Sequence, residues 1–374
     1  MKKMMVTMLV THLQFIDPDR DYPGLDLNWR YFISSMAIGA GQIWMYSAFF
    51  FHAIWKETTH MTSTVGIQVD RKPGTVEERR LWRTFADISR FHITAIAVLG
   101  VFTFGWLFTG VYPWLLTAVC ALDWHIVNLI NRTVDIEEDR ANIITETEFV
   151  ERNRRLLLKV VFVFLLISLV VVHFLNPAIT GLRIACHLLG AFYNWPLLPG
   201  RRRLKQLYFW KNNASAVGFL ITVFGYPLAT ACWGDRSHSF PTGVTWETVV
   251  FSAVFFFLFE ISYEVIYDLR DVKGDARAGI RTYPVVHGER TTIYIVDGLI
   301  FSSMAVLAIG YLVAFVPWRI FIMIAAPFLQ LVVYKHSLRQ GISAKDCIRI
   351  TWMGVAMLFI YHMWIIAGLP GVGL

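Results

Sequence analysis

Two short stretches of this 374-residue chain carry acidic and amide side chains at helical spacing. The first reads Asn131-Arg-Thr-Val-Asp135-Ile-Glu-Glu-Asp139. Asn131, Asp135 and Asp139 therefore fall on one helix face, each about one turn beyond the last. The second reads Glu264-Val-Ile-Tyr267-Asp268-Leu-Arg-Asp271-Val-Lys273-Gly-Asp275. Glu264, Asp268, Asp271 and Asp275 again share a face, and Glu260 extends it one turn deeper. Two ladders of oxygen donors ringed by Arg and Lys suit a diphosphate held by magnesium. Mg²⁺ binds through a few carboxylates, keeps several waters and takes its remaining ligands from phosphate oxygens. The metal neutralises a leaving diphosphate and so promotes heterolysis of a carbon–oxygen bond. The candidate metal and catalytic positions are thus Asn131, Asp135, Asp139, Glu264, Asp268, Asp271 and Asp275.

These ladders have to be positioned by helices in lipid. The chain is 56% hydrophobic and only 16% charged, against about 25% charged residues in an ordinary soluble domain. Runs long enough to cross a bilayer, about 20 apolar residues, are predicted at His92–Gly110, Pro113–Ile130, Leu156–Leu175, Pro177–Trp195, Ala214–Trp233, Thr248–Tyr267, Thr292–Val316, Arg319–Tyr334 and Ile348–Leu369. The fold class is all-α and integral to the membrane, a bundle of nine helices around a cavity. Residues 1–90 form an N-terminal extension with a further apolar run, Tyr31–Trp55, and a basic loop; 91–374 form the membrane domain. No cleavable leader is expected ahead of Tyr31.

Basic residues cluster in every second connection: around Arg132–Lys159, Arg201–Lys211, Arg270–Arg290 and Lys335–Arg349. That alternation is the positive-inside pattern and puts the active-site loops on the cytoplasmic face. The net charge of +7 is then a property of membrane-surface loops, and no nucleic-acid partner is expected. Four scattered cysteines without a CxxC pair exclude a disulfide scaffold and a zinc module. Acids inside an apolar span are costly and mark function, which leaves three readings of the ladders. They are a diphosphate site, a cation or proton relay, or solvated helix ends paired with nearby arginines.

The ladders, with Gly279-Ile-Arg-Thr-Tyr-Pro-Val285 and Gly288 behind the second, resemble the UbiA superfamily of intramembrane prenyltransferases from about Arg90 to the C-terminus. The resemblance implies nine helices around a central cavity, two aspartate-rich motifs binding a prenyl diphosphate through Mg²⁺, and a lateral opening to lipid. It adds Arg90, Tyr193, Lys205, Tyr267 and Lys273 as supports of the diphosphate. Arg90-Phe91-His92 stands where the family has an RPH-like entry, and Tyr193-Asn-Trp-Pro196 with Lys205 matches its Tyr and Lys pattern. Asn131 is followed by Arg132 rather than Asp, no Arg-Pro segment follows the first ladder, and Glu264 stands where many relatives have Asp. These departures leave ionisation intact and count against the usual aromatic acceptor.

Once ionised, an allylic cation is captured by an acceptor or by its own remote double bond. Aromatic faces stabilise such a cation without attacking it, and 15% of the chain is Phe, Trp or Tyr. The run Phe255–Phe259, with Trp106, Trp124, Phe192 and Trp195, is the candidate lining. With the altered first ladder and the long extension, the chain looks more like the fungal branch of membrane-bound sesquiterpene cyclases, the trans-bergamotene synthase type. The expected reaction is cyclisation of farnesyl diphosphate to a hydrocarbon with release of pyrophosphate; prenyl transfer to an aromatic or other acceptor is the alternative. The expected partners are the prenyl diphosphate and the bilayer, and endoplasmic reticulum is the expected membrane.

Overall fold

The computed structural model describes residues 84, 86–232 and 240–367. The predicted apolar run at 31–55 and almost all of the extension lie outside the described residues. Ten helices follow in order: α1 (Phe91–Thr109), α2 (Trp114–Val134), the short α3 (Ile136–Ala141), α4 (Thr147–Leu175), α5 (Thr180–Asn194), α6 (Trp210–Ala231), α7 (Trp246–Arg277), α8 (Tyr283–Leu312), α9 (Trp318–Leu338) and α10 (Ala344–Ile366). Eight of them are long and apolar enough to cross a membrane. The predicted run Pro177–Trp195 corresponds to a 3₁₀ turn at Pro177–Ile179 followed by the 15-residue α5, which is not among those eight. The protein is an all-helical integral membrane protein, as its composition predicts.

Helix ends differ from the sequence expectation in a way that matters for the site. Expected to begin at Leu156, α4 already begins at Thr147, so Arg152, Arg154, Arg155 and Lys159 stand on helix rather than loop. Likewise α7 does not stop at Tyr267. It runs to Arg277 and carries the whole second ladder. Apolar length predicts where a helix meets lipid, and the polar turns that continue it beyond the bilayer leave no hydropathy signal.

Two local devices bend the bundle around its centre. In α6 the turn Ile221–Gly225 is a π-bulge, with the Tyr226 N–H reaching back to the Ile221 carbonyl. Pro227 explains it: without an N–H, and with its ring against the preceding turn, proline cannot continue an ordinary α-ladder. In α8, Gly288 takes φ 78° and breaks the helix five residues after Tyr283, so the membrane portion begins near the predicted Thr292.

The membrane interior contains an ion pair that hydropathy reading passes over. Asp123 on α2 and Arg183 on α5 are both fully buried. The Arg183 Nε and Nη2 donate to the Asp123 carboxylate at 3.0 and 2.5 Å, and its Nη1 donates to the Ser168 carbonyl of α4 at 2.9 Å. Tyr226 of α6 donates to the same carboxylate at 2.8 Å, and His187 Nε2 lies 3.0 Å from it. Four helices are thus tied to one anion. Breaking a buried pair strands its partner's charge, at a cost of about 3–5 kcal/mol. Arg183→Met is expected to lower the melting temperature in detergent markedly, while the double variant Asp123→Leu/Arg183→Met recovers most of the loss.

Candidate active site

One cavity of about 900 Å³ opens among the helices, and all seven positions of the two ladders line it. Its polar end is built where α2 runs into α3, where α7 carries its last turns, and where α1, α6 and α10 begin. Asp135 is both the last-turn cap of α2 and the first cap of α3, with φ −93° and ψ 27°. The chain bends there, yet the Asp135 and Asp139 N–H groups still donate four residues back, at 2.9 and 2.8 Å. The helical phase that puts Asn131, Asp135 and Asp139 on one face survives the bend.

The α2–α3 wall is dense in ion pairs. The Asn131 amide donates to Asp135 at 2.6 Å and to the Asn194 side chain at 2.9 Å. Lys205, itself 2% exposed, places its ammonium 2.6 Å from Asp135 and 2.5 Å from Glu138. Arg203 bridges the same two acids at 3.1 and 2.6 Å. Asp139 accepts from Arg132, and Arg90 stands 3.4 Å from its other oxygen. Asp135 and Glu138 compete for Lys205. Burial pushes the Asp135 carboxyl above its usual range against that pull. At Glu138 the burial penalty is outweighed by Lys205 and Arg203, which hold it below.

The α7 wall repeats the logic with different residues. Lys211, in the first turn of α6, lies 2.8 Å from Asp268 and 2.8 Å from Asp275. The Asn212 amide donates to Asp268 at 2.8 Å, and the Ser215 hydroxyl donates to Glu264 at 2.7 Å. Positions 211, 212 and 215 face one side of α6, so a single helix start supports three members of the ladder. Asp271 is held by its neighbour Arg270, whose guanidinium also lies 4.9 Å from the Tyr267 ring. The Tyr267 hydroxyl is 2.9 Å from Thr351 of α10. The two walls meet beside Asn142, whose side chain accepts from the Gly274 N–H at 3.1 Å. A Cβ at Gly274 would stand 2.3 Å from that side chain, so the glycine is there for close approach.

Of the supports inferred from the resemblance, Arg90, Tyr193, Lys205 and Tyr267 line the cavity. Lys205 stands 5.8 Å from the centre of the Tyr193 ring. Lys273 is a correction: it is exposed and outside the cavity lining. Two residues from both Asp271 and Asp275, it is rotated roughly 200° around the helix from them. Lys211 occupies the role expected of a cation on this wall. Its signal was a lysine in the opening turn of a span, followed by Asn212 and Asn213, but it reads equally as loop charge.

Below the carboxylates the cavity becomes aromatic. Phe104, Trp124, Phe219, Phe255, Phe256 and Phe259 line it, with Trp124 against Phe219 at 4.0 Å and Phe104 against Phe224 at 4.5 Å between ring centres. The expected lining is corrected at three places. Trp106 packs away from the cavity beside Tyr112, Trp195 against Phe162, and Phe192 is exposed. Among the described residues no three His, Cys, Asp or Glu side chains converge on one point as a closed metal cage. The donors are instead all oxygens, spread over two facing walls and already countered by lysine and arginine. Such a set fits a hard divalent cation whose shell is completed by water and by a bound anion's oxygens.

Comparison with known proteins agrees with this geometry. The UbiA prenyltransferase family matches residues 91–361. A UbiA homolog from Archaeoglobus fulgidus, solved bound to DMAPP and Mg²⁺, superposes with a TM-score of 0.56 at 16% identity, covering 76% of this chain and 99% of that one. The apo structure of a homolog from Aeropyrum pernix gives 0.55 at 14% identity over 74% and 98%. At these identities the likeness is one of fold. A digeranylgeranylglyceryl phosphate synthase of Natronomonas pharaonis is 30% identical over 66 residues, 18% of this chain. The match spans only 24% of that relative's length. Because the matched span takes in both carboxylate walls and nearly all of the described bundle, the chain belongs to the UbiA prenyltransferase family.

Proposed function

We propose that the protein ionises a prenyl diphosphate, farnesyl diphosphate being the expected substrate, and lets the resulting cation cyclise to a terpene hydrocarbon. The observation that carries this reading is a single cavity with two carboxylate walls at one end and aromatic rings at the other. Its volume of about 900 Å³ lies toward the top of the range of roughly 300–1,000 Å³ for small-molecule sites.

Asn131, Asp135, Asp139, Glu264, Asp268, Asp271 and Asp275 are the residues that would hold Mg²⁺ beside the diphosphate. When bound, the metal supplies Lewis-acid neutralisation of the leaving group. Lys205 and Lys211 line the cavity within 2.8 Å of those carboxylates, close enough to pass their hydrogen bonds to phosphate oxygens. Arg90 and Arg270 close the rim. As the carbon–oxygen bond breaks, its electron pair stays on pyrophosphate, where these cations are already fixed and need no reorganisation. The prenyl tail lies against Phe104, Phe219, Phe255 and Phe259, whose faces stabilise positive charge and keep water away.

Prenyl transfer is the second reading. The segment shared with the Natronomonas synthase favours it, and it requires an acceptor in the same cavity. A cation relay is the weaker alternative, because an array of lysine and arginine around the acids opposes cation passage. The positive-inside pattern supports a cytoplasmic mouth for the cavity, with the endoplasmic reticulum as the expected membrane.

Asp135→Ala and Asp268→Ala are each expected to reduce pyrophosphate release from farnesyl diphosphate at least about a hundredfold while the protein still inserts in membranes. Retained turnover in either variant defeats the two-wall site. EDTA is expected to stop the reaction and added Mg²⁺ to restore it. The fate of the cation is read by incubating membranes with farnesyl or geranylgeranyl diphosphate and no acceptor. Hydrocarbon release supports cyclisation, whereas product that appears only on adding an aromatic or quinone precursor supports transfer.

A further inference from the structure

Glu260 is a carboxylate on the cavity wall that the proposed ionisation does not use and that no cation answers among the described residues. It lies on α7 one turn, about 6 Å, deeper than Glu264, and it lines the cavity among Phe256, Phe259 and Tyr263. The other acids of this cavity are engaged: Asp135 and Glu138 by Lys205 and Arg203, Asp139 by Arg132, Glu264 by Ser215, and Asp268 and Asp275 by Lys211. Asp123, also on the wall, is held by Arg183, Asp271 by Arg270, and Asp87 has a partner of its own. Glu260 accepts no hydrogen bond and pairs with no cation among the described residues. An unpaired carboxyl within a membrane span is expensive to keep and by default marks a functional position.

The aromatic end needs what this group supplies. Phe255 and Phe259 stack at 5.8 Å, and Tyr263 meets Phe259 edge-on at 5.2 Å. These rings can hold a cation but cannot take a proton from it. Lys211, proposed above to hold pyrophosphate, pairs with Asp268 and Asp275, about two and four helical turns along α7 from Glu260. The Tyr263 hydroxyl is turned to the Ile350 carbonyl at 3.3 Å, so Glu260 is the free acceptor beside the tail.

We propose that Glu260 is the proton acceptor that ends the reaction, a reading that rests on the ionisation proposed above. A C–H bond next to the cationic carbon breaks, and its electron pair becomes the second bond of a new alkene. The step requires Glu260 ionised: the proton an unpaired carboxyl keeps in the substrate-free protein leaves to solvent as substrate binds, and the proton taken from carbon then becomes its O–H and passes to water or to the departing pyrophosphate on product release. Nothing is oxidised or reduced. If an acceptor molecule captures the cation instead, the same carboxylate takes the proton that the acceptor loses.

The test compares wild type, Glu260→Gln and Glu260→Asp, purified in detergent and checked for equal melting temperature, with farnesyl diphosphate and Mg²⁺. Pyrophosphate release and organic products are measured separately. In Glu260→Gln, pyrophosphate release is expected to stay within about tenfold of wild type, while the deprotonated product falls by about 10²–10⁴-fold and water-captured alcohol takes its place. Glu260→Asp, which keeps the carboxylate, is expected to restore part of the normal product. A second readout needs neither metal nor turnover. A prenyl-chain tertiary amine, protonated at neutral pH, is expected to bind Glu260→Gln about tenfold more weakly than wild type, for loss of a charge-assisted contact. Unchanged product and unchanged amine affinity in Glu260→Gln overturn the proposal and leave the ionisation reading intact. Loss of pyrophosphate release in both variants also overturns it, by assigning Glu260 to ionisation. If wild type releases no pyrophosphate, the ionisation reading itself fails and this proposal falls with it.

Discussion

Charge neutralisation inside a low-dielectric bundle is the constraint on which the rest of this structure depends. Seven oxygen-bearing side chains crowd one end of a membrane cavity, and an uncompensated carboxylate there costs several kcal/mol in effective terms. The protein meets that cost with a lysine on each wall. Lys205 sits between Asp135 and Glu138, and Lys211 between Asp268 and Asp275. Both lysines come from the stretch around the start of α6, so one segment of chain serves both ladders. In the function proposed above, the ammonium groups that hold the acids apart are also the groups that would turn toward phosphate, so stability and the proposed chemistry rest on the same contacts.

The Asp123–Arg183 pair shows the same constraint put to a purely structural use. Three of the guanidinium's hydrogen-bonding directions are filled, by the carboxylate, the Ser168 carbonyl and the Ser168 hydroxyl, and Tyr226 and His187 complete the anion's shell. The π-bulge in α6 follows the helix turn that carries Phe219 into the cavity and ends at Tyr226, which reaches Asp123. Pro227 therefore affects both the shape of the aromatic wall and the geometry of the buried pair.

The cavity is ionic at one end and aromatic at the other, which is the division that the proposed substrate, a diphosphate on an apolar tail, would require. Glu260, one turn below the second ladder, is where the two regimes meet. The same helix, α7, carries Phe255 and Phe259, then Glu260 and Glu264, then Asp268 to Asp275. Its axis therefore serves as a ruler along which the environment changes from apolar to ionic.

Much of the fold and the whole of both ladders could be read from the chain. A membrane leaves so few tolerated structures that apolar run length nearly dictates the helices, and i, i+4 spacing dictates which acids share a face. Four of the five supports carried over by resemblance also meet at the cavity. Lys273 does not, because a basic residue near a helix end is legible as charge but its helical phase is not, and Lys211 lines the cavity with no more signal than that. Trp106, Phe192 and Trp195 were misplaced for a related reason, since an aromatic near a helix end can face lipid, core or cavity with identical spacing. The sequence by itself determined the solvent, the helices and the residue types available for chemistry, all of which follow from local composition and pitch. Only the tertiary structure decided which cation answers which carboxylate, and that Glu260 is left without one among the described residues. Those pairings join residues far apart in the chain, and their energies depend on distances that only packing sets.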